Sequence, residues 1–189
     1  MSENLSFLFS SKKCHLRNLA LMSYFLLFSF LIFPQDTLQK EKMTHRIETN
    51  ISITRFDIFH SFEYSAKVNH FQASVGLGYG VTRTFFQQRF FPKINVLGVY
   101  NLINNPKFSF GPSVYYSFSW LKINQTSKHF NNWNELFGGL HWEYGNKWRI
   151  GQTISAGYFS ESYFNQFLNK RAKASNWGYF VNFSLIHEL

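Results

Sequence analysis

The chain has 189 residues and a net charge of +9; aromatic residues make up 21% of it and charged residues only 15%. A soluble domain is about one quarter charged, so the composition argues against an ordinary water-facing surface. The Lys and Arg residues are spread over turns, which argues against nucleic-acid binding, and a single cysteine, Cys14, excludes a disulfide within the chain.

The first predicted element is a secretory signal peptide over residues 1–35. Lys12, Lys13 and Arg17 precede an apolar run at residues 19–33, which Pro34 ends. The run is shorter than the roughly twenty residues that a spanning helix needs. An uncleaved anchor helix stays open as the alternative, because no pair of small residues marks a cleavage site. Residues 36–45 are expected to be a flexible lead-in.

The next segment, residues 46–64, is too long for one ordinary strand. Its apolar positions are odd at first, as in Ile51 and Ile53, and then even, as in Ile58 and Phe62. The switch near Thr54 indicates either a bulge in one curved strand or a tight reversal between two strands.

Later segments alternate apolar residues with small or polar ones, which is typical of strands. They are residues 70–82, 108–120, 133–144, 148–158 and 177–185, with a mostly apolar strand at residues 93–103. Pro112 cannot donate to a sheet ladder, so we expect a bulge there. Residues 164–174 are expected to hold a short helical turn within a loop.

The connections alternate in length. Short ones lie at residues 65–68, 104–107 and 145–147, and long ones are centred on residues 86–89, 124–132 and 161–175. Transmembrane barrels have short periplasmic turns and longer outer loops. Counting back from the last strand requires an outward strand at residues 46–53. The pattern therefore predicts an all-β fold, a single antiparallel up-and-down barrel of eight strands over residues 46–189.

The turn at residues 145–147 predicts a specific register. A three-residue loop pairs Tyr144 with Trp148 and Glu143 with Arg149, which matches the character of both pairs. We therefore expect Glu143 and Arg149 to form an ion pair inside the barrel.

Alternation alone does not say which face is dry, because a soluble lipocalin-like barrel has an apolar interior. Charge is nearly absent from both faces of most strands, and aromatic residues mark the strand ends. Both features favour apolar side chains that point outward into lipid, with an aromatic girdle at the two interfaces. The predicted girdle residues are Phe108, Trp120, Trp133, Tyr144, Trp148 and Tyr158.

Two segments carry a family resemblance: "ASVGLGYG" at residues 73–80 and the terminal "YFVNFSLIHEL". The chain resembles small outer-membrane β-barrels of Bacteroidetes-type bacteria, similar to the outer-membrane protein A and X barrel superfamily. The resemblance implies the outer membrane of a Gram-negative bacterium. It also implies contact with outer-membrane lipid and lipopolysaccharide, and insertion by the machinery that reads the last strand of such barrels.

An eight-stranded barrel is just wide enough to be filled by side chains, so polar residues on the inner face are expected to be packing groups. Those residues are Glu143, Arg149, His141, Glu135, Glu63 and His70. We find no metal signature and no phosphate-binding loop, and we expect no cofactor, metal or nucleic acid as a ligand. His60 faces opposite to Ser61 and Glu63 on a strand, which spoils a local catalytic triad, so an enzyme is not expected.

Three function classes remain open. The first is a structural or surface-binding barrel that acts through its outer loops, where Lys170, Arg171 and Lys173 form a basic loop. The second is a narrow porin-like channel, which requires a continuous polar lumen. The third is a lipid-A-modifying enzyme, which requires a Ser or His near the outer rim that faces lipid.

Overall fold

The computed structural model describes residues 43–122, 129–165, 168 and 170–189. The predicted signal peptide and most of the lead-in lie outside the described residues. The described chain contains nine strands and one π-helical turn at Thr82–Phe86: β1 (Thr44–Thr54), β2 (Ile58–Val68), β3 (Phe71–Gly80), β4 (Pro92–Tyr100), β5 (Ile103–Asn105), β6 (Phe108–Lys122), β7 (Phe130–Gly145), β8 (Trp148–Asn165) and β9 (Lys170–Glu188). Within the described residues, no helix is both long and apolar enough to cross a membrane.

The strands close on themselves as an antiparallel barrel. Each long strand pairs with its neighbours in sequence, β4 pairs with β6, and β1 pairs with β9. The short strand β5 only extends the ladder along β6. The predicted eight-stranded up-and-down barrel is therefore confirmed for the part of the chain that the structure describes.

The parity switch near Thr54 is a tight reversal between two strands. Ile53 pairs with Ile58, and the backbone amide of Thr54 donates to the carbonyl of Asp57 at 3.1 Å. β1 begins at Thr44, two residues before the expected start of the barrel. Paired residues share a face of the sheet, so the pairing of an odd with an even position switches the parity of the inward positions.

The connections fall at two ends of the barrel, which we call the turn end and the loop end. The turn end carries the β2–β3, β4–β6 and β7–β8 connections, and the loop end carries the other four. β2 runs on to Val68 instead of ending at Tyr64, because the two-residue turn is Asn69 and His70. Asn69 has a φ of 52°, in the left-handed region that Asn tolerates better than most residues.

The predicted register at the β7–β8 turn is wrong. Gly145 pairs with Arg149 and Tyr144 with Ile150, so the three-residue loop is shifted by one position along the chain. Gly145 has a φ of 137°, and a Cβ there would lie 2.1 Å from the carbonyl oxygen of Trp148. The hairpin closes on this glycine because only a residue without a side chain fits that approach.

The predicted loop at residues 161–175, with its helical turn, is wrong for the described residues there. β8 and β9 continue pairing from Glu161 opposite Ala174 to Asn165 opposite Lys170. β9 pairs with β1 only as far as Phe180. The β8–β9 hairpin therefore extends beyond the rest of the barrel at the loop end.

Pro112 lies at a break in the ladder. Val99 pairs with Ser113 and Ile103 with Phe110, so the β4–β5 side holds one residue more than β6 over this interval. That count is a bulge. The expected bulge next to Pro112 is present, and it spares the proline from donating to β4 or β5.

The apolar rows point outward and the polar rows inward. Phe62 is 60% exposed and Leu77 is 67% exposed, whereas Arg46, Glu48 and Asn50 on the inner face of β1 are each about 1% exposed. A soluble lipocalin-like barrel would have the reverse arrangement. The structure therefore contradicts that alternative.

Candidate functional site

The turn end of the lumen is filled by a charged network centred on the Glu143 carboxylate. Arg46 Nη1 donates to its Oε2 at 2.9 Å, and Gln72 Nε2 donates to its Oε1 at 2.8 Å. His141 Nε2 lies 3.1 Å from Oε1, and Thr153 Oγ1 lies 2.8 Å from Nδ1 of the same ring. These side chains come from β1, β3, β7 and β8, so the network ties opposite walls of the barrel together.

A second carboxylate, Glu63, organises the lumen next to this network. It accepts hydrogen bonds from Ser61 at 3.1 Å, Ser74 at 2.9 Å and Asn95 at 2.5 Å. Room for it comes from Gly76, where a Cβ would lie 2.3 Å from the Glu63 side chain. Glycine on the inner face thus leaves space in the narrow lumen for larger side chains from neighbouring strands.

Nearer the loop end, Lys93 and Glu135 form a fully buried ion pair. Their Nζ and Oε2 atoms are 3.1 Å apart, and Ser117 donates to the same carboxylate at 2.5 Å. The ammonium also lies 4.1 Å from the Phe59 ring centroid and 5.3 Å from that of Tyr115. Aromatic faces attract a cation, so the rings stabilise Lys93 where water is excluded.

Between this pair and the loop end, a hydrophobic plug closes the lumen. The plug consists of three aromatic side chains and one leucine: Phe59, Phe91, Trp133 and Leu121. Phe91 packs against Phe59 and Trp133, with ring centroids 5.1 Å apart in both contacts. The Arg83 guanidinium lies over the Phe91 and Trp133 rings on the outer side of the plug. The plug separates the polar lumen from the loop end.

The Arg55–Asp57 reversal and the π-helical turn are joined by one carboxylate. Asp57 accepts hydrogen bonds from the backbone amides of Thr82 at 3.0 Å and Arg83 at 3.1 Å. Burial lowers the pKa of the Arg83 guanidinium, and the Asp57 charge acts in the opposite direction. The carboxylate therefore fixes the segment that holds Arg83 over the plug.

The structure places five of the six predicted lumenal residues inside the barrel: Glu63, Glu135, His141, Glu143 and Arg149. Arg149 Nη1 lies 3.8 Å from Glu143 Oε2, so Arg46 is the nearer cation. The prediction is wrong for His70, which lies exposed in the β2–β3 turn and bonds to the Asn101 carbonyl at 2.5 Å. Because β2 extends to Val68, His70 falls in the turn instead of on the inner face of a strand.

Among the predicted girdle residues, Tyr144, Trp148 and Tyr158 point outward and are half or more exposed, and Phe108 and Trp120 are partly exposed on the outer face. The prediction of a girdle position is wrong for Trp133. It is 3% exposed within the plug, because its position along β7 has the parity of Glu135. Lys170, Arg171 and Lys173, predicted as a loop, are strand residues of the extended β8–β9 hairpin.

Sequence reasoning missed Arg46, Lys93 and the inward aromatic residues. A signal existed for the first two, since each lies at an inward parity position of its strand. For the inward aromatic residues, the apolar character of the side chain predicted the outer face, whereas they lie inside the barrel. Tyr115, Phe137 and Phe180 stack inside the barrel in a second cluster with Leu97 and Val99.

One histidine of the described outer wall, His60, bears on the enzyme class. His60 points outward with Thr49 Oγ1 3.1 Å from its Nε2, so it meets the condition of a lipid-facing histidine. Its Nδ1 has no hydrogen-bond partner within the described residues, so no acid orients the ring, as a nucleophile's base requires. No group of three His, Cys, Asp or Glu residues that could hold a metal ion occurs in the described part of the chain.

The chain matches no family model and no curated protein. Three solved structures are similar to it. A major outer membrane protein from Thermus thermophilus has 8% identity and a TM-score of 0.48, over 78% of this chain and 99% of that one. The N-terminal β-barrel domain of Pseudomonas aeruginosa OprF has 9% and 0.49, over 76% and 96%. Neisserial surface protein A has 9% and 0.40, over 78% and 96%. The fold assignment itself stands on the strand pairings described above.

Proposed function

We propose that the chain is an outer-membrane β-barrel of a Gram-negative bacterium whose lumen is filled and whose role, structural or surface-binding, is carried by the loop end. The single observation that carries this proposal is the arrangement of the side chains: apolar rows lie on the outside of the barrel and ion pairs lie inside, the reverse of a soluble barrel. A closed barrel satisfies every backbone group without an edge, which is the condition for strands to span lipid. We also propose that the chain is related to the outer-membrane protein A and X barrels.

The positive charge of the loop end supports an orientation with this end outside. The described residues of the loop end include seven Lys or Arg side chains and two carboxylates, a net charge of +5: Arg55, Arg83, Arg89, Lys122, Lys170, Arg171 and Lys173 against Asp57 and Glu161. A cationic rim attracts an anionic surface. Outer-leaflet lipopolysaccharide phosphates are such a surface, and the insertion machinery would read β9 from the periplasmic side.

Filling of the lumen argues against a diffusion pore. The plug residues Phe59, Phe91 and Trp133 are at most 3% exposed, and Glu143 and His141 at the other end are fully buried. Water cannot pass rings packed at these distances without their displacement. The protein is therefore expected to hold its shape in the membrane and present its loop end to the exterior.

A narrow channel is the second candidate, favoured by one observation. Buried polar atoms on the turn-end side of the plug lack hydrogen-bond partners among the described residues, including both side-chain polar atoms of Asn50, Oδ1 of Asn95 and Oδ1 of Asn182. Buried polar groups of this kind are normally satisfied by ordered water. Such water would occupy the lumen only on the turn-end side of the plug.

Three tests on the full chain address the proposal and its alternatives. Heat-modifiable gel migration together with cell fractionation tests the membrane barrel; a chain that migrates identically before and after boiling and stays with the soluble fraction would contradict it. Planar-bilayer recording then tests the filled lumen. We expect no steady conductance, and reproducible unitary currents would favour the channel. Mass spectrometry of lipid A with and without the protein tests the enzyme class.

A further inference from the structure

A pocket of about 310 Å³ opens at the loop end between the start of β4 and the end of β6. Two cations, Arg89 and Lys122, line it together with Phe90, Trp120 and Phe130. The lining is completed by Gln88, Pro92 and Leu121. A concave site that combines aromatic walls with two cationic side chains fits an anionic group attached to an apolar body.

The pocket is a built feature of the barrel wall. Arg89 Nη2 donates to the backbone carbonyl of Lys122 at 2.6 Å, which joins the β3–β4 connection to the end of β6. The Arg89 amide also donates to the carbonyl of Arg83 at 2.8 Å. Trp120 stacks on Phe118 with ring centroids 5.5 Å apart. The Arg89 guanidinium and the Trp120 ring are therefore each held by a neighbour, and the Arg89 contact also joins its loop to the backbone of Lys122.

The position of the pocket on the wall says what kind of molecule can reach it. Along the outer face of β6 the row of apolar residues ends at Trp120, and Lys122 follows it. Directly below, Ile94 pairs with Phe118 and Val96 with Tyr116, and these side chains also point outward. An aromatic residue and then a cation at the end of an apolar row mark the level where acyl chains meet headgroups.

We infer that this pocket binds the phosphate-bearing headgroup of a membrane lipid, with its acyl chains lying along the outer faces of β4 and β6. The guanidinium of Arg89 and the ammonium of Lys122 supply charge-assisted hydrogen bonds to phosphate oxygens. The inference rests on the proposed membrane placement, with the loop end at the headgroup level.

The experiment uses the full chain refolded in nonionic detergent and native mass spectrometry with added lipid A, phosphatidylglycerol, phosphatidylcholine or inorganic phosphate. We expect retention of lipid A or phosphatidylglycerol in preference to phosphatidylcholine, with little competition from inorganic phosphate. The double variant R89Q/K122Q should weaken that retention about 30-fold, at about 1 kcal/mol for each cation near an anionic lipid surface. The matched control is K107Q/K147Q, which removes two cations from the turn end.

Equal loss in both double variants would overturn the inference, because general attraction to positive charge would then suffice. Full competition by millimolar inorganic phosphate would also overturn it, since the pocket would then take a free anion. If R89Q/K122Q does not refold, the preference of the unaltered chain for phosphate lipids over phosphatidylcholine decides, and equal retention overturns the inference. Heat-modifiable migration of each sample separates these outcomes from a failure of the membrane barrel itself.

Discussion

The buried pair of Lys93 and Glu135 allows the sharpest test of how the lumen is stabilised. We expect Lys93→Met to destabilise the barrel by about 3–5 kcal/mol, because it leaves the Glu135 carboxylate buried without its cation. At the observed 3.1 Å, Coulomb's law with an effective dielectric constant of about 20 gives an attraction of about 5 kcal/mol. That attraction offsets the desolvation of two groups that are at most 2% exposed.

The double variant Lys93→Met with Glu135→Leu should be far less damaging than Lys93→Met alone. Replacing a whole buried pair with apolar residues is often neutral or stabilising, and the rings of Phe59, Tyr115 and Phe180 around the Lys93 ammonium would give the methionine apolar contacts. The two single variants and the double variant form a cycle whose coupling free energy isolates the pair.

The assay is urea unfolding of the chain inserted in lipid vesicles, followed by tryptophan fluorescence. Lys147→Met, in the exposed β7–β8 turn, is the matched control and should leave the unfolding curve unchanged. The reasoning is refuted if Lys93→Met costs less than about 1 kcal/mol, or if the double variant costs as much as the two single variants together.

Three further predictions follow from the lumen and the wall. Glu143→Gln should cost about 3–5 kcal/mol in the same assay, because Arg46 and Arg149 lose their shared carboxylate; Glu161→Gln, at the loop end and away from both arginines, is the control, and equal costs would contradict the network's role. Gly139→Ala should destabilise by about 1–3 kcal/mol, since a Cβ there lies 2.1 Å from the Ile154 carbonyl. Its outward neighbour Gly138, with nothing within 4 Å of a Cβ, should accept Ala, and an equal effect would show that packing is not the cause. Phe91→Ala and Trp133→Ala should each cost about 3–5 kcal/mol in the same assay, because each removes a fully buried ring from the plug, whereas Phe85→Ala at an exposed site should cost less than about 1 kcal/mol; equal costs at the three sites would contradict the packing of the plug.

The number of strands could be predicted from the alternation of apolar positions and from the alternation of short and long connections, because both features are local in the sequence. The parity switch between Ile53 and Ile58 indicated a bulge or a reversal, and counting the strands back from the last one favoured the reversal. The register at Gly145 did not follow, because it depends on one close backbone approach to Trp148 that no alternation pattern contains. A matched pair such as Glu143 and Arg149 can be argued for several registers, and only the turn geometry chooses among them.

The contents of the lumen were predictable only in part. Glu63, Glu135 and Glu143 stood out because charge is rare in this chain, and parity placed them inside. Trp133 was misjudged because an aromatic residue near a strand end suits both the girdle and the plug. Residue type and parity disagreed there, and in a barrel that is narrow enough to be filled, parity was the better guide.

The closure of β1 against β9 has a consequence for how the molecule is made. Arg46 pairs with Glu188, so the first strand finds its second partner only after the other strands and β9 have been synthesised. Pairings over such sequence separations raise the contact order and slow folding. Until that seam forms, the amides and carbonyls of β1 on this side have no ladder partner, and lipid offers them none. A nascent chain of this design therefore needs an aqueous holding state before insertion, and removal of β9 would leave the barrel open along β1.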